Sequence, residues 1–305
     1  MNPSHEGAAG LSILIPAFNY PEGVARILTA LSSASPDHVE IIVSDDSTND
    51  LVWRVVERHR SLIPFVRYIR SASSKGPCAN WNYLLDAATR EYCLLVHHDE
   101  FPLSHQFIRK VRTELAGASH PDVLLLGCLL GFEDGRNRIN SPRWLRELIV
   151  RHAPSYLFSR NIVGPASVVV ARRTMYPRFD ANLRWLIDVD AYYRLLKMAG
   201  TVCLSKDLWM VSVQGRTDSI SAGLKGALRT IRREELGYLR RRYPTDLVIA
   251  GLSKANLGSL AVRVGERAAW NVFQVLRLCA LLVTPFPVRR VTMAMLLRSG
   301  PLEKH

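Results

Sequence analysis

The first hundred residues repeat one unit. An apolar run ends at polar residues, and apolar positions at helical spacing follow. Leu11 to Ile15 stops at Pro16, and Val24, Ile27, Leu28 and Leu31 then recur with a helical period behind Pro21-Glu22, a good helix start. Val39 to Val43 stops at Ser44-Asp45-Asp46-Ser47, and the spacing predicts a helix through Val52, Val55, Val56 and His59. Phe65 to Ile69 is strand-like, and Trp81, Leu84, Leu85 and Ala88 share a helical face. Tyr92 to Val96 is a strand that runs into His97-His98-Asp99-Glu100, and Ser104 is placed to cap a helix through Phe107, Val111 and Leu115.

Strands alternating with helices predict an α/β protein whose twisted, mainly parallel sheet is flanked by helices. Ligands of such sheets sit beyond the carboxyl ends of the strands. Polar groups fall there repeatedly: Asn19-Tyr20 after the first run, Asp45-Asp46 after the second, His97 to Glu100 after the fourth.

In the second half, Val123 to Leu130 and Ala166 to Ala171 are strand-like, while residues 131–163 carry no clear period. Asp188-Val189-Asp190 opens a helix with Val189, Tyr192, Tyr193 and Leu196 on one face and Gly200 as its stop. Val202 to Leu204 and Trp209 to Val213 are two short apolar runs, and the chain turns helical and basic after Gly223. No repeat or low-complexity segment interrupts it.

Composition adds a globular core, with 48% hydrophobic and 22% charged residues. The five cysteines have no paired spacing and read as small core residues of a reducing compartment rather than a disulfide frame or zinc site. No leader pattern opens the chain. The most apolar late stretch, Val272 to Val288, is broken by Gln274, Arg277, Pro285 and Pro287 and does not suit a bilayer span. Of the net charge of +13, residues 223–305 carry +10 (15 Lys and Arg against 5 Asp and Glu). Such a tail suits an anionic membrane or nucleic acid, or is a solvated helical face. Few aromatics and no nucleic-acid motif argue against nucleic acid.

Four constellations carry candidate chemistry. A carboxylate of Asp45-Asp46 just past a strand end can accept from a nucleobase or ribose, although the same residues make good turns. Lys75-Gly76-Pro77-Cys78-Ala79-Asn80 joins a cation to a helix start, which suits a diphosphate. It is neither a P-loop nor a dinucleotide fingerprint. Asp99 and Glu100 offer oxygen ligands to Mg²⁺ or Mn²⁺. His97 and His98 point to opposite faces, so His98 or Asp99 faces the site and His97 packs or hydrogen-bonds. At Asp188-Val189-Asp190 one carboxylate can cap the helix while the other acts as general base.

The order SILIPAFNY, IIVSDDST, KGPCANWN, REYCLLVHHDE and RFDANLRWLIDVDAYYRLL, across Leu11 to Leu196, resembles the inverting nucleotide-sugar glycosyltransferases of family two, with their GT-A (nucleotide-diphospho-sugar transferase) fold. The resemblance implies a catalytic domain over residues 1–222, its nucleotide-sugar half about 1–102 and its acceptor half about 103–222, followed by a basic, amphipathic helical extension at 223–305. It places Pro16, Ala17, Phe18, Tyr20, Asp45, Asp46, Lys75, Asn80 and His98 around the nucleotide, Asp99 and Glu100 on Mn²⁺ or Mg²⁺, and Asp188 as catalytic base. Trp185, Asp190, Gln214 and Arg216 are expected as acceptor or diphosphate contacts.

Two departures from the family pattern stand out. His98 occupies a position that is usually aspartate, which leaves open a catalytically impaired nucleotide-sugar-binding protein. Gln214-Gly215-Arg216 lacks the tryptophan of the processive synthases, so a single addition is expected. The expected partners are a nucleotide-diphosphate sugar and a glycan or glycolipid acceptor, in the cytoplasm. The tail apolar residues Trp270, Val272, Phe273, Val275, Leu276, Leu278, Leu281 and Leu282 are expected at the inner face of an anionic membrane.

Overall fold

A computed structural model describes residues 9–244, apart from 36, 72–75, 118, 133–134, 216–222 and 225. The first compact unit runs to Arg242, and a second begins at Tyr243. Lys75, Arg216 and the apolar residues of the tail lie outside the described residues.

Strands β1 (Leu11–Ala17), β2 (Val39–Asp45), β3 (Val66–Arg70) and β4 (Tyr92–Leu95) form the parallel half of the sheet, in the order β3-β2-β1-β4. Helices α1 (Pro21–Ala30), α2 (Leu51–His59) and α3 (Pro77–Ala87) alternate with them as the pattern predicts. Every residue of β1 is buried, as expected of a strand covered on both faces. Pro16 does not end β1. The Val96 N–H donates to the Leu14 carbonyl as β4 runs out, so the donor that Pro16 lacks has no partner strand to miss.

The sheet then becomes mixed. β4 pairs antiparallel with β8 (Val169–Arg172), β8 antiparallel with β6 (Val123–Phe132), and β6 parallel with β9 (Val202–Gln214). β5 (Glu100–Pro102) closes the edge antiparallel to β9, and β7 (Asn137–Ile139) pairs with β6, giving nine strands. The two apolar runs at 202–204 and 209–213 are one strand. The ladder shifts register beside Ser205-Lys206-Asp207, where the Ser205 hydroxyl accepts the Leu208 N–H, so the polar triplet bulges without ending the pairing.

Helices α4 (Phe107–Leu115), α5 (Arg143–His152), α6 (Ile187–Met198) and α7 (Leu228–Arg242) follow, with short 3-10 helices at Pro154–Phe158 and Ala166–Val168. α5 falls within the stretch that had no legible period. It buries Leu145, Leu148, Ile149 and Val150, but Arg146 on the same face masks the pattern. α6 starts where the sequence predicts, whereas Gly200 lacks the left-handed conformation of a helix stop. Ser104 accepts the Gln106 N–H with its hydroxyl and the Phe107 N–H with its carbonyl, two residues before the first turn of α4.

α7 opens the basic region yet belongs to the first unit. Its Ile231, Glu235 and Leu239 are buried. None of the described helices is long and apolar enough to cross a membrane. The described cysteines, Cys78, Cys93, Cys128 and Cys203, are all free thiols.

Candidate active site

A cavity of about 870 Å³ opens beyond the carboxyl ends of β1, β2 and β4. Pro16, Ala17, Phe18, Asp46, Asn80, His98, Asp99, Glu100, Trp185, Asp188 and Gln214 all line it, so most residues singled out along the chain converge here.

One end of the cavity is built by strand ends and the start of α3. Asp46 is buried, and its Oδ2 accepts the Gly76 N–H at 2.9 Å. Gly76 has φ +76°, a left-handed conformation that only glycine adopts cheaply, so the chain can turn from Asp46 into Pro77 at the head of α3. Asn80 donates to the Ser44 carbonyl at 3.1 Å and fixes α3 against the end of β2. Phe18 is left 48% exposed at the rim, an uncommon place for a phenyl ring unless it faces a ligand.

Asp45 does not belong to this site. Its Oδ1 accepts the Ser47 N–H at 3.0 Å and its Oδ2 the Tyr68 hydroxyl at 2.6 Å, with no exposed surface. Burial and the adjacent carboxylate push the Tyr68 hydroxyl well above its ordinary pKa. Tyr20 does not line the cavity but meets the His98 ring edge-on, with ring centroids 5.4 Å apart. Gly23 sits against the same pair: a Cβ there would lie 1.9 Å from the His98 carbonyl oxygen and 2.5 Å from the Tyr20 ring.

His97 and His98 follow the end of β4, and both line the cavity. His97 stacks on Trp81, ring centroids 4.7 Å apart, and its Nδ1 lies 3.5 Å from Glu100 Oε1. Its backbone N–H donates to Glu100 Oε2 at 3.2 Å. Burial lowers the His97 pKa, but the Glu100 carboxylate and the charges of Asp188 and Asp99 outweigh it and lift the imidazole to about 9. His97, Asp99 and Glu100 each bring a ligand atom within 4.8 Å of the others. It is thus His97, rather than His98, that joins the two carboxylates.

Across the cavity, Asp188 occupies the first turn of α6. It is half-buried, and its Oδ1 is enclosed without a hydrogen-bond partner. Burial pushes its pKa up, His97 pulls it down, and Glu100 and Asp99 add to the rise, leaving the carboxyl at about 6. Asp190 faces the other way. It is fully buried and accepts both Nε and Nη2 of Arg194, at 2.9 and 2.7 Å. It does not line the cavity, so of the two carboxylates Asp188 alone is available for chemistry.

Several lining residues carried no signal in the sequence. The loop before β8 closes on itself, with Asn161 Nδ2 donating to the Gly164 carbonyl and the Gly164 N–H returning to Asn161 Oδ1, at 2.9 and 3.0 Å. Arg160, Arg184 and Arg232 form the remaining charged wall. Glu235, from α7, accepts the backbone N–H groups of Arg184, Trp185 and Leu186 at 2.6, 3.2 and 2.8 Å, and so caps the start of α6 from a distant segment.

The sequence model of Glycosyl transferase family 2 matches residues 12–179, more than half of the chain. The chain belongs to glycosyl transferase family 2. The match covers Asp46, Asn80, His98, Asp99 and Glu100 and stops short of Asp188. A GalNAc(5)-diNAcBac-PP-undecaprenol beta-1,3-glucosyltransferase from Campylobacter jejuni is 27% identical over 111 residues, 36% of this chain and 36% of that protein. The chain spans about a third of that relative's length.

The fold is that of GT-A transferases of known structure. Staphylococcus aureus TarS in complex with UDP-GlcNAc superposes with a TM-score of 0.56 at 15% identity, over 90% of this chain and 71% of that one. The mannosyltransferase PcManGT from Pyrobaculum calidifontis, in complex with GDP-Man and Mn²⁺, gives 0.51 at 14% identity, over 94% and 84%.

Proposed function

We propose that this family 2 glycosyltransferase moves one sugar from a nucleotide-diphosphate donor to an acceptor hydroxyl with inversion, using Asp188 as general base. The observation that carries this reading is Asp188 itself. An unpartnered carboxylate oxygen, a pKa raised to about 6 and a place in the same cavity as Asp46 and Asp99 are what a base needs to take a proton at neutral pH. The acceptor oxygen attacks the anomeric carbon from the face opposite the leaving diphosphate. The new glycosidic bond forms as the bond to the diphosphate breaks, and the hydroxyl proton passes to Asp188.

Asp46 and Asn80 hold the nucleoside end, and the start of α3 faces the diphosphate. The cluster of His97, Asp99 and Glu100 suits a hard divalent cation by its carboxylate oxygens. Asp99 and Glu100 would hold Mn²⁺ or Mg²⁺, with Glu100 kept in place by His97. When bound, the cation neutralises the departing diphosphate. The Campylobacter relative, named for a PP-undecaprenol-linked glycan, supports a lipid-linked or surface-glycan acceptor. The basic tail supports work at the inner face of an anionic membrane.

The experiment is calorimetric titration of nucleoside diphosphates with Mn²⁺, with Mg²⁺ and with EDTA, using wild type and Asp99→Ala. Metal-dependent binding of one nucleotide, lost in the variant, is expected. Absence of nucleotide binding under every condition would favour an impaired relative of the family instead, with His98 as its cause.

A further inference from the structure

We propose that the end of the cavity away from the strand termini is a binding subsite for a phosphate or diphosphate group on the acceptor, held by Arg160, Arg184 and Arg232. This rests on the transferase reading above and adds to it the charge of the second substrate.

Charge is divided along the cavity. Its lining carboxylates are Asp46, Asp99 and Glu100 at the strand ends and Asp188 at the start of α6, whereas its lining guanidinium groups are these three arginines. They meet around the first turns of α7. Arg232 Nη2 donates to the carbonyls of Phe158 and Ser159, at 3.2 and 2.9 Å, which places it beside Arg160. Glu235, three residues further along α7, holds the backbone N–H of Arg184.

The nearby carboxylates leave this wall positive. Glu235 is buried and directed to backbone N–H groups. Glu234 approaches Arg184 only to 4.0 Å, with the two side chains 61% and 62% exposed, so the pair is weak. Three arginines lining one wall add positive charge that an anion would neutralise. Their planar forks match phosphate oxygens better than carbohydrate hydroxyls.

Arg184 and Asp188 flank the start of α6 and line the same cavity, so an anion held here shares that cavity with the hydroxyl that Asp188 would deprotonate. The donor's own diphosphate is assigned to the opposite end, near Asp99 and α3. The accepting sugar is therefore one that carries a phosphate or diphosphate close by, borne by a lipid or by a water-soluble phosphorylated glycan.

The test titrates inorganic pyrophosphate into the full chain in EDTA. Wild type is compared with Arg160→Glu/Arg184→Glu and with Asp46→Ala, and circular dichroism checks each fold. Both arginines are exposed, so reversing their charge leaves the core untouched. Pyrophosphate affinity is expected to fall about tenfold or more in the doubly reversed protein and to persist in Asp46→Ala. Equal binding by wild type and the reversed protein overturns the proposal. Loss in Asp46→Ala alone also overturns it, because a protein that keeps all three arginines would then fail to hold the anion, and it leaves the transferase reading intact. Arginine-dependent pyrophosphate binding in a protein that binds no nucleotide would sink the transferase reading and keep the subsite. Phosphatidylcholine vesicles carrying phosphatidic acid separate the two sources: displacement of pyrophosphate identifies a lipid-borne phosphate, and indifference identifies a soluble one.

Discussion

Glu235 accepts the Leu186 N–H at 2.8 Å, two residues before Asp188, although 49 residues of sequence separate the bonded pair. The same carboxylate takes the N–H groups of Arg184 and Trp185, so the approach to α6 is held by one side chain from α7. Replacing Glu235 with Ala leaves three donors without their acceptor at a largely buried site, and a loss of roughly 3 kcal/mol in urea unfolding is expected. Glu235→Gln keeps one carbonyl acceptor and should recover part of it. Turnover should fall in both variants while donor affinity holds, because Asp188 is displaced and the strand ends are not. A matching loss of donor affinity would assign Glu235 to global stability alone.

Asp188 makes stability depend on pH in a direction opposite to that of most carboxylates. Its folded pKa of about 6 lies above its ordinary 3.8. The folded protein therefore binds a proton that the unfolded chain releases, and stability is lost as pH rises from about 4 to about 6. The gap is worth roughly 3 kcal/mol. Asp188→Asn should be the more stable protein at pH 8 without added metal, and the advantage should vanish near pH 4. Thermal melts across that range would show it. Wild-type transfer rates should rise with pH through about 6 as the base ionises.

Gly23 leaves no room for a methyl group. A Cβ at 1.9 Å from the His98 carbonyl and 2.5 Å from the Tyr20 ring cannot be absorbed by a rotamer change, since one neighbour is backbone. Gly23→Ala should destabilise the protein by about 1–3 kcal/mol, as overpacking does. Because the displaced carbonyl adjoins Asp99, it should also weaken metal-dependent nucleotide binding. Calorimetry on the folded fraction would separate the two effects.

Arg146 sits in the core with 5% exposure, and two of its guanidinium nitrogens find no partner among the described residues. Burial pushes its pKa down to about 10, so it still carries its charge at neutral pH. An apolar side chain of similar length should serve the fold at least as well. Arg146→Met is expected to raise stability by roughly 1–3 kcal/mol. A lower denaturation midpoint would mean that this guanidinium holds a structural water or ligand.

The parallel half of the fold was legible because β1, β2 and β4 are mainly apolar runs with a polar stop, although Arg67 interrupts β3. The mixed half was not. Ser205-Lys206-Asp207 looked like a break and is a bulge, and Arg146 hid the core face of α5. At the site, Asp46, Asp99 and Asp188 could be found from strand and helix ends. The difference between Asp45 and Asp46 could not, because which of two adjacent residues turns inward depends on the partner strand that brings Tyr68. Arg160, Arg184, Arg232 and Glu235 were scattered single charges until the fold brought them to one cavity end. The role of the apolar residues in the tail remains the membrane expectation of the sequence.

The cap that Glu235 places on α6 separates two kinds of completeness. A fragment ending at Gln214 contains all nine strands, and with them the strand ends that face the nucleotide. It lacks Glu235, which holds the approach to the base, and Arg232 of the cationic wall, both of which follow between Leu228 and Arg242. Trimming the chain to its sheet would leave a protein able to recognise a donor with no firm means of spending it.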